Sequence, residues 1–385
     1  MTDPNPPLIA FEPGSFADFT LRERLPRIVD AVARDPQHSA VARSQLTLLR
    51  ATLPNGAVPD AIGHASTDRS FWKQYMQSFQ GAPWRAVPFM QAEFMFYRAL
   101  LDALLCDSDP GRDPFAGTKQ AALENARNKL PSAAEQARAL TNWNYESLRD
   151  AVHWALTGNA ADLSQLERSD HGDAQQQPLV DDLAEVFSEI SPDSAGTIDL
   201  VLDNAGEELI GDLVLIDYLL SAHARVALRI HVKPDPIFVS DVTPADWRIT
   251  LDFICAQPAA AVASWGQKLV DYQRVGRLML RADPFWCRPL CLSELDLGLR
   301  EQLAESRLMI LKGDLNYRRY LQDRTWPLDS PASAHRIPTL APALALRVMK
   351  SELAVGLSQA VVSQLQPQEP DWLYNGRHAI VQYFR

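Results

Sequence analysis

Apolar residues recur at three- and four-residue spacing through roughly the first 160 positions, the period of helices packed on one face. "FADFTLRERLPRIVDAVARD" and "SAVARSQLTLLRATL" carry that period clearly. "PFMQAEFMFYRALLDALL" is apolar on most faces, which predicts an internal helix. "DPFAGTKQAALENARNKL" opens with Asp113 and Pro114, a cap and first-turn pair, and "NYESLRDAVHWALTG" adds a further helix. From Ser164 to Pro178 the text turns polar and predicts a loop. "LVDDLAEVFSEI" then reads as a short helix and "SPDSAGT" as a break.

After Gly196 the pattern changes. "TIDLVLD", "RVALRIHVK", "IFVSDV", "RLMILKGD", "ALALRVMK" and "HAIVQYFR" are short apolar runs suited to strands, with helical text between several of them. Such alternation predicts an α/β fold with a mostly parallel sheet covered on both faces. The predicted division is an N-terminal all-α domain over residues 1–190 and an α/β domain over 191–385. No fixed-period repeat is visible.

Placed on these strands, the polar residues gather. Asp203 and Asn204 end the first run, Asp241 ends "IFVSD", Lys312 and Asp314 end "RLMILKGD", and Lys350 ends "ALALRVMK". Four strands thus deliver charged or amide groups at their C-terminal ends, the edge where doubly wound sheets bind ligands. Each residue taken alone has a plainer reading. Asp203 or Asn204 could cap the next helix, Asp241 could belong to a turn, Lys350 could begin a helix, and Arg318 could lie on a polar surface loop. Together, Asp203, Asn204 and Asp241 are hard oxygen ligands suited to Mg²⁺ or Mn²⁺. Lys350, Arg318 and Lys312 would bring positive charge to the same edge, and the helix starting near Glu207 would turn its N-terminus to the pocket. A divalent metal with Lys and Arg neutralises a transferring phosphoryl group.

Composition narrows the partners. In a chain of 385 residues the net charge of −11 argues against nucleic acid and anionic membranes; it does not exclude a small phosphorylated metabolite, the partner that the strand-end residues lead us to expect, since a pocket can be locally basic. "MTDPNPPLIAFEPGSF" lacks the basic and apolar regions of a secretory signal, and no apolar stretch is long enough to span a bilayer. Cys106, Cys255, Cys287 and Cys291 lack the spacing of a zinc site, and free thiols point to a cytoplasmic setting. The eight histidines form no metal-binding spacing. The sequence leaves the oligomeric state open.

The strings "LVLDNAGEEL", "IFVSDVTPADW", "LMILKGDLNYRRYLQDRTWP", "LRVMKSELAVGL" and "WLYNGRHAIVQYF" occur in order, with weaker echoes in "PWRAVPFMQAEFMFYRAL" and "DPFAGTKQAAL". In these the chain resembles the metal-dependent damage-control phosphatases, a family first catalogued as a domain of unknown function. Within it the chain is most similar to subfamily III, whose human member was described as an acidic-residue methyltransferase. The resemblance implies a Rossmann-like three-layer sandwich with an N-terminal helical domain. It implies a divalent metal, Mn²⁺ or Mg²⁺ with Co²⁺ or Ni²⁺ as alternatives, on Asp203, Asn204 and Asp241. It places Glu208 facing the substrate, and the phosphate and sugar on a loop of Asp314, Leu315, Asn316, Tyr317 and Arg318. The family's R-T-x-K lysine falls on Lys350, and a Val348 stands where the family has Thr. Glu207 stands where the family has Phe, which brings charge toward the pocket.

The implied activity is hydrolysis of sugar phosphates, ketose phosphates such as fructose 1-phosphate being the type case. The attacking group would be a water on the metal or Asp203 itself. Two other functions compete: a carboxyl methyltransferase using S-adenosylmethionine, and a catalytically silent phosphometabolite-binding protein. Against the first, "LDNAGEE" has one glycine and two glutamates where a nucleotide-binding turn would be glycine-rich.

Overall fold

The computed structural model describes residues 6–59, 64–107, 112–159, 178–190 and 195–385. Helices fill the first part: α1 (Phe16–Phe19), α2 (Leu25–Ala33), α3 (Ala40–Thr52), α4 (Arg69–Met76), α5 (Phe89–Ala103), α6 (Ala116–Asn125), α7 (Leu130–Ala139), α8 (Tyr145–Asn159) and α9 (Leu183–Glu189). A π-helical turn, Thr20–Arg24, joins α1 to α2. The remainder runs β1 (Gly196–Val201), α10 (Glu207–Ala222), β2 (Val226–His231), α11 (Pro244–Cys255), α12 (Ala260–Arg274), β3 (Leu278–Arg281), α13 (Leu297–Ala304), β4 (Leu308–Lys312), α14 (Gly313–Tyr320), β5 (Ala343–Val348), α15 (Gln359–Leu365) and β6 (Ala379–Phe384).

The strands form one sheet in the order β3-β2-β1-β4-β5-β6. All neighbours are parallel except β5 and β6, which are antiparallel. The order reverses between β1 and β4, so the helices that follow these two strands leave on opposite faces and open a crevice between their ends. Side chains alternate across the sheet, as a two-residue period requires. Met309 and Leu311 of β4 enter the core built with α1 to α5, while Leu308 and Ile310 enter the core built with α6 to α12. The helical N-terminal half thus contributes to the cores on both faces. The fold is the expected α/β sandwich.

The local differences have physical causes. "IFVSDV" is not a strand: among the described residues only a single bridge, Asn204 to Asp241, touches it. Pro234 and Pro236 precede it, and proline cannot donate to a ladder. Its apolar residues are instead buried beside the sheet edge, with Phe238 held at φ +65°. The strand on the outer side of β2 is β3, four residues between helix and turn, too short to stand out in the text. Asp113 and Pro114 do not open α6, which begins at Ala116; Asp113 Oδ1 accepts from the Phe115 amide at 2.7 Å and Oδ2 from Lys119 Nζ at 2.9 Å. The "LVDDLAEVFSEI" helix is α9, and of the polar stretch 164–178 all but Pro178 lies outside the described residues. So do the first four residues of "SPDSAGT".

Residues 179–182 pass along the outer side of β6. The Leu179 amide donates to Ala379 O at 2.8 Å, Asp182 to Val381 O at 2.9 Å, and Val381 back to Val180 O at 2.8 Å. The four cysteines are free thiols, and no helix of the described residues is long and apolar enough to cross a membrane.

Candidate active site

A cleft at the C-terminal ends of β1, β4 and β5 is lined by Asp203, Asn204, Asp241, Asp314, Leu315, Arg318 and Lys350. Residues Phe238, Val239 and Ser240 form one side, and Phe16, Arg24 and Glu93 come across from the N-terminal helices. A second hollow, around Lys268 and Tyr272 on α12, contains none of the strand-end residues and is a surface feature. Three of the expected elements deliver their residues from strand ends. Asp241 arrives from a loop, held by its bridge to Asn204 and by the Val242 amide donating to Asp203 O at 2.9 Å.

The plainer readings of these residues fail. The N-cap of α10 is Gly206, at φ +78° and without a side-chain cap, so neither Asp203 nor Asn204 caps the helix. Helix α11 is capped by Thr243 in a reciprocal box with Asp246, so Asp241 is not its cap. Lys350 lies in the turn after β5, not at a helix start.

Asn204 is oriented from both sides. Its Nδ2 donates to Glu208 Oε2 at 2.8 Å and Asp203 Oδ2 at 3.1 Å, while Oδ1 accepts from Ser240 Oγ at 2.6 Å. Glu208 therefore sits behind Asn204 rather than on the cleft wall. The first turn of α10 carries its carboxylate down to Lys312, whose Nζ lies 3.2 Å from Glu208 Oε1 and 2.8 Å from Asp212 Oδ1. Lys312 is fully buried, so its charge faces α10 and Ala155 O, not the cleft where sequence reasoning had placed it. Burial pushes the Asp212 carboxyl up, with Lys312 working against that rise. Glu207 turns outward to Lys129, so its charge does not reach the cleft, and Val348 is buried in β5 away from the lining.

The "DLNYR" stretch is not a loop but part of α14, which sends its side chains to different places. Asp314 and Leu315 line the cleft. Asn316 donates to Lys312 O at 2.8 Å and Leu202 O at 3.3 Å, tying the ends of β1 and β4 together. Tyr317 OH donates to Gln382 Oε1 at 2.8 Å and accepts from the Val355 amide at 3.2 Å, well inside the protein. Arg318 reaches the cleft with three of its five N–H donors engaged by carboxylates: Nε with Asp323 at 2.7 Å, Nη1 with Glu93 at 2.7 Å and Nη2 with Asp323 at 3.3 Å. Burial opposes its charge, but Asp323 and Glu93 outweigh that and hold the guanidinium firmly protonated.

Burial likewise works against the Asp314 charge, and the Arg347 and Arg318 guanidiniums overcome it, keeping the carboxyl below its ordinary range. Arg347 Nε contacts Asp314 Oδ1 at 2.7 Å, and the Lys350 amide donates to the same oxygen at 3.0 Å. That contact anchors the turn bearing Lys350.

Sequence reasoning missed Lys233, whose buried ammonium pairs with Asp241 and lies 5.1 Å from the centre of the Phe238 ring. Burial pushes Lys233 down to about 8, opposed by Asp203. Gly313 was also missed. At φ +80°, a Cβ there would meet Asp203 Oδ2 at 1.9 Å, so the backbone of α14 can approach Asp203 only through glycine. The signal was the glycine between Lys312 and Asp314. Arg24 and Glu93 gave no local signal, because they come from far earlier in the chain.

Among the described residues no three His, Cys, Asp or Glu side chains converge as a metal cluster. The candidate set is two carboxylates and an amide, all buried, lining one cleft. Hard oxygens in this number suit a divalent ion that keeps water and substrate as further ligands. The acidic pair is buried, and the Lys233 ammonium already pairs with Asp241.

Fold and site together define a doubly wound α/β protein with an acidic, oxygen-rich site at its topological switch point. The family model of the damage-control phosphatase ARMT1-like domain matches residues 20–365, and the chain belongs to that family. It is 30% identical to the damage-control phosphatase ARMT1 of Danio rerio, over 96% of this chain and 95% of that protein. Identity is 28% to the Mus musculus protein of that name, over 98% of each chain, and 26% to the Homo sapiens one, over 96% of each. The crystal structure of a DUF89 family protein from Pyrococcus horikoshii shares the fold, with a TM-score of 0.51 at 16% identity over 96% of both chains.

Proposed function

We propose that this chain is a divalent-metal-dependent phosphatase acting on phosphate monoesters of small sugars, with ketose phosphates such as fructose 1-phosphate as the type substrate, in cytoplasmic metabolite damage control. One observation supports the reading above all: Asp203, Asn204, Asp241, Asp314 and Lys350 line a single cleft at the switch point of the sheet. Asp203, Asn204 and Asp241 would hold Mn²⁺ or Mg²⁺, or Co²⁺ or Ni²⁺ in their place. When bound, the ion supplies positive charge that offsets the phosphate oxygens and polarises phosphorus. Glu208 and Ser240 hold the Asn204 amide so that its oxygen and nitrogen cannot exchange places. Lys350 meets the phosphate, and the ionised Asp314 accepts from a sugar hydroxyl. Phe16, Leu315 and Phe238 exclude bulk water. Net reaction breaks the ester P–O bond, places a water oxygen on phosphorus and returns a proton to the sugar oxygen.

The methyltransferase reading has little support in this site, since the β1–α10 turn presents Asp203 and Asn204 rather than a glycine-rich cradle. The test is phosphate release from a sugar phosphate panel with Mg²⁺, Mn²⁺, Co²⁺, Ni²⁺ or EDTA. Turnover should require metal and be lost in Asp203→Asn and Asp241→Asn while both variants stay folded. Full activity of stripped protein in EDTA, or no release from any ester with any metal, would refute the proposal.

A further inference from the structure

We infer that Arg24, contributed by the N-terminal helices, is a ligand for the phosphoryl anion of the substrate; the inference rests on the phosphatase reading above. Arg24 closes the π-helical turn, where the Leu25 amide reaches back to Thr20 O. Such single π turns insert one residue into a helix and rotate the residues beyond it about the axis, and they concentrate at functional sites. Here the turn puts the Arg24 side chain on the cleft wall opposite the strand ends.

Arg24 differs from the other arginines near the cleft in how little holds it. Arg318 is bound to two carboxylates, and Arg347 to Asp314, Ser351 and Leu353 O. Arg319 donates to Trp286 O and Leu290 O. Arg24 Nη1 stands 3.8 Å from Glu93 Oε1, too far for a hydrogen bond, and its Nε, like that of Arg319, is buried without a hydrogen-bond partner; unlike Arg319, whose terminal nitrogens are spent on two carbonyls, Arg24 lines the cleft. A buried donor left unpaired is costly, so an acceptor that reaches Arg24 from the cleft gains by pairing it. Its side chain is 20% exposed, open enough to be reached.

The cleft lining makes an anion the fitting occupant. It carries the carboxylates Glu93, Asp203, Asp241 and Asp314 against Arg24, Arg318 and Lys350. With a divalent ion on the acidic floor the balance turns positive, and a dianionic monoester supplies the opposite charge. A guanidinium presents paired N–H groups that match two phosphoryl oxygens, which an ammonium cannot do. Arg24 would therefore grip the phosphate from the helical side while Lys350 meets it from the sheet side.

The experiment measures, in Mn²⁺-loaded protein, the KM for the best sugar phosphate and the inhibition constant of inorganic phosphate for wild type, Arg24→Gln and Arg24→Lys. Mn²⁺ affinity by calorimetry and thermal unfolding are followed alongside. Arg24→Gln should raise both constants about 10–100-fold, the loss of one charge-assisted contact, with Mn²⁺ affinity unchanged. Arg24→Lys should raise them by less. If Arg24→Gln does not fold, Arg24→Lys carries the test. Wild-type phosphate inhibition in a folded variant overturns the role of Arg24 and leaves the phosphatase reading standing. A wild-type protein that releases no phosphate with any metal overturns both.

Discussion

Replacing Gly313 with alanine tests whether Asp203 is held where the site needs it. The added Cβ would lie 1.9 Å from Asp203 Oδ2, 2.3 Å from its Cγ and 2.8 Å from its Cβ. Normal contact requires roughly 3.4 Å or more, so the carboxylate must retreat by about 1–1.5 Å. The left-handed φ of +80° adds a backbone cost of about 1–2 kcal/mol for any residue with a Cβ. A second substitution separates the two effects. Gly276 has φ +75° with nothing within 4 Å of an added Cβ, so Gly276→Ala reports the backbone cost alone. Both variants should lose comparable stability from that cost. Only Gly313→Ala should lose function, by roughly 100-fold or more in kcat/KM, as expected for an active-site group misplaced by about 1 Å. Mn²⁺ affinity should fall with it. The assays are phosphate release, calorimetry with Mn²⁺ and thermal unfolding. Wild-type kcat/KM and metal affinity in a folded Gly313→Ala protein would refute the placement of Asp203 at the centre of the site.

Three further outcomes are expected from the contacts. Arg318→Ala should destabilise the fold by about 3–5 kcal/mol, because it strands the buried carboxylates of Glu93 and Asp323, and chemical denaturation reads that loss directly. Lys350→Ala should lower kcat/KM by about 10–100-fold without changing Mn²⁺ affinity, whereas lost metal binding would place Lys350 elsewhere in the site. Asp199 is fully buried on β1; burial raises its pKa, and His231, Arg229 and Ser306 outweigh that, so the folded-state value is depressed. A depressed carboxyl stabilises the fold above the unfolded pKa and loses that contribution as pH falls through the folded value. The wild type should therefore lose stability below about pH 4, and Asp199→Asn should be less stable at neutral pH with a flatter acid limb in pH-dependent denaturation.

The sheet and most of the floor of the cleft were legible because both rest on local pattern. Strands β1, β2, β4, β5 and β6 announced themselves as apolar runs, and Asp203, Asp314 and Lys350 stand at or just beyond their ends. Asp241 reaches the cleft by a route its apolar neighbours do not suggest, since they are buried without any sheet to join. Which way a side chain points from α14 or α10 was not legible. Asn316, Tyr317, Glu208 and Lys312 occupy the expected stretch of chain but turn away from the cleft, and helix phase at a turn depends on contacts with distant segments. The far wall was invisible for the same reason. Arg24 and Glu93 line the cleft with Arg318 only because the π-helical turn before α2 and helix α5 fold back over the sheet edge, and no spacing in the text records that return.

The short pairing of residues 179–182 with β6 bears on solubility. A sheet ends in strands whose outer amides and carbonyls invite any extended chain to add on, and that is a common route to aggregation. Here one border is β3, only four residues long with an arginine at its end. The other is β6, whose outward amide at Val381 is already matched by Val180 O. Neither border offers a long template to another molecule. Residues 179–182 thus act as a selvedge on the woven sheet, and cutting them away should raise self-association, read by light scattering, at temperatures below those that unfold the interior.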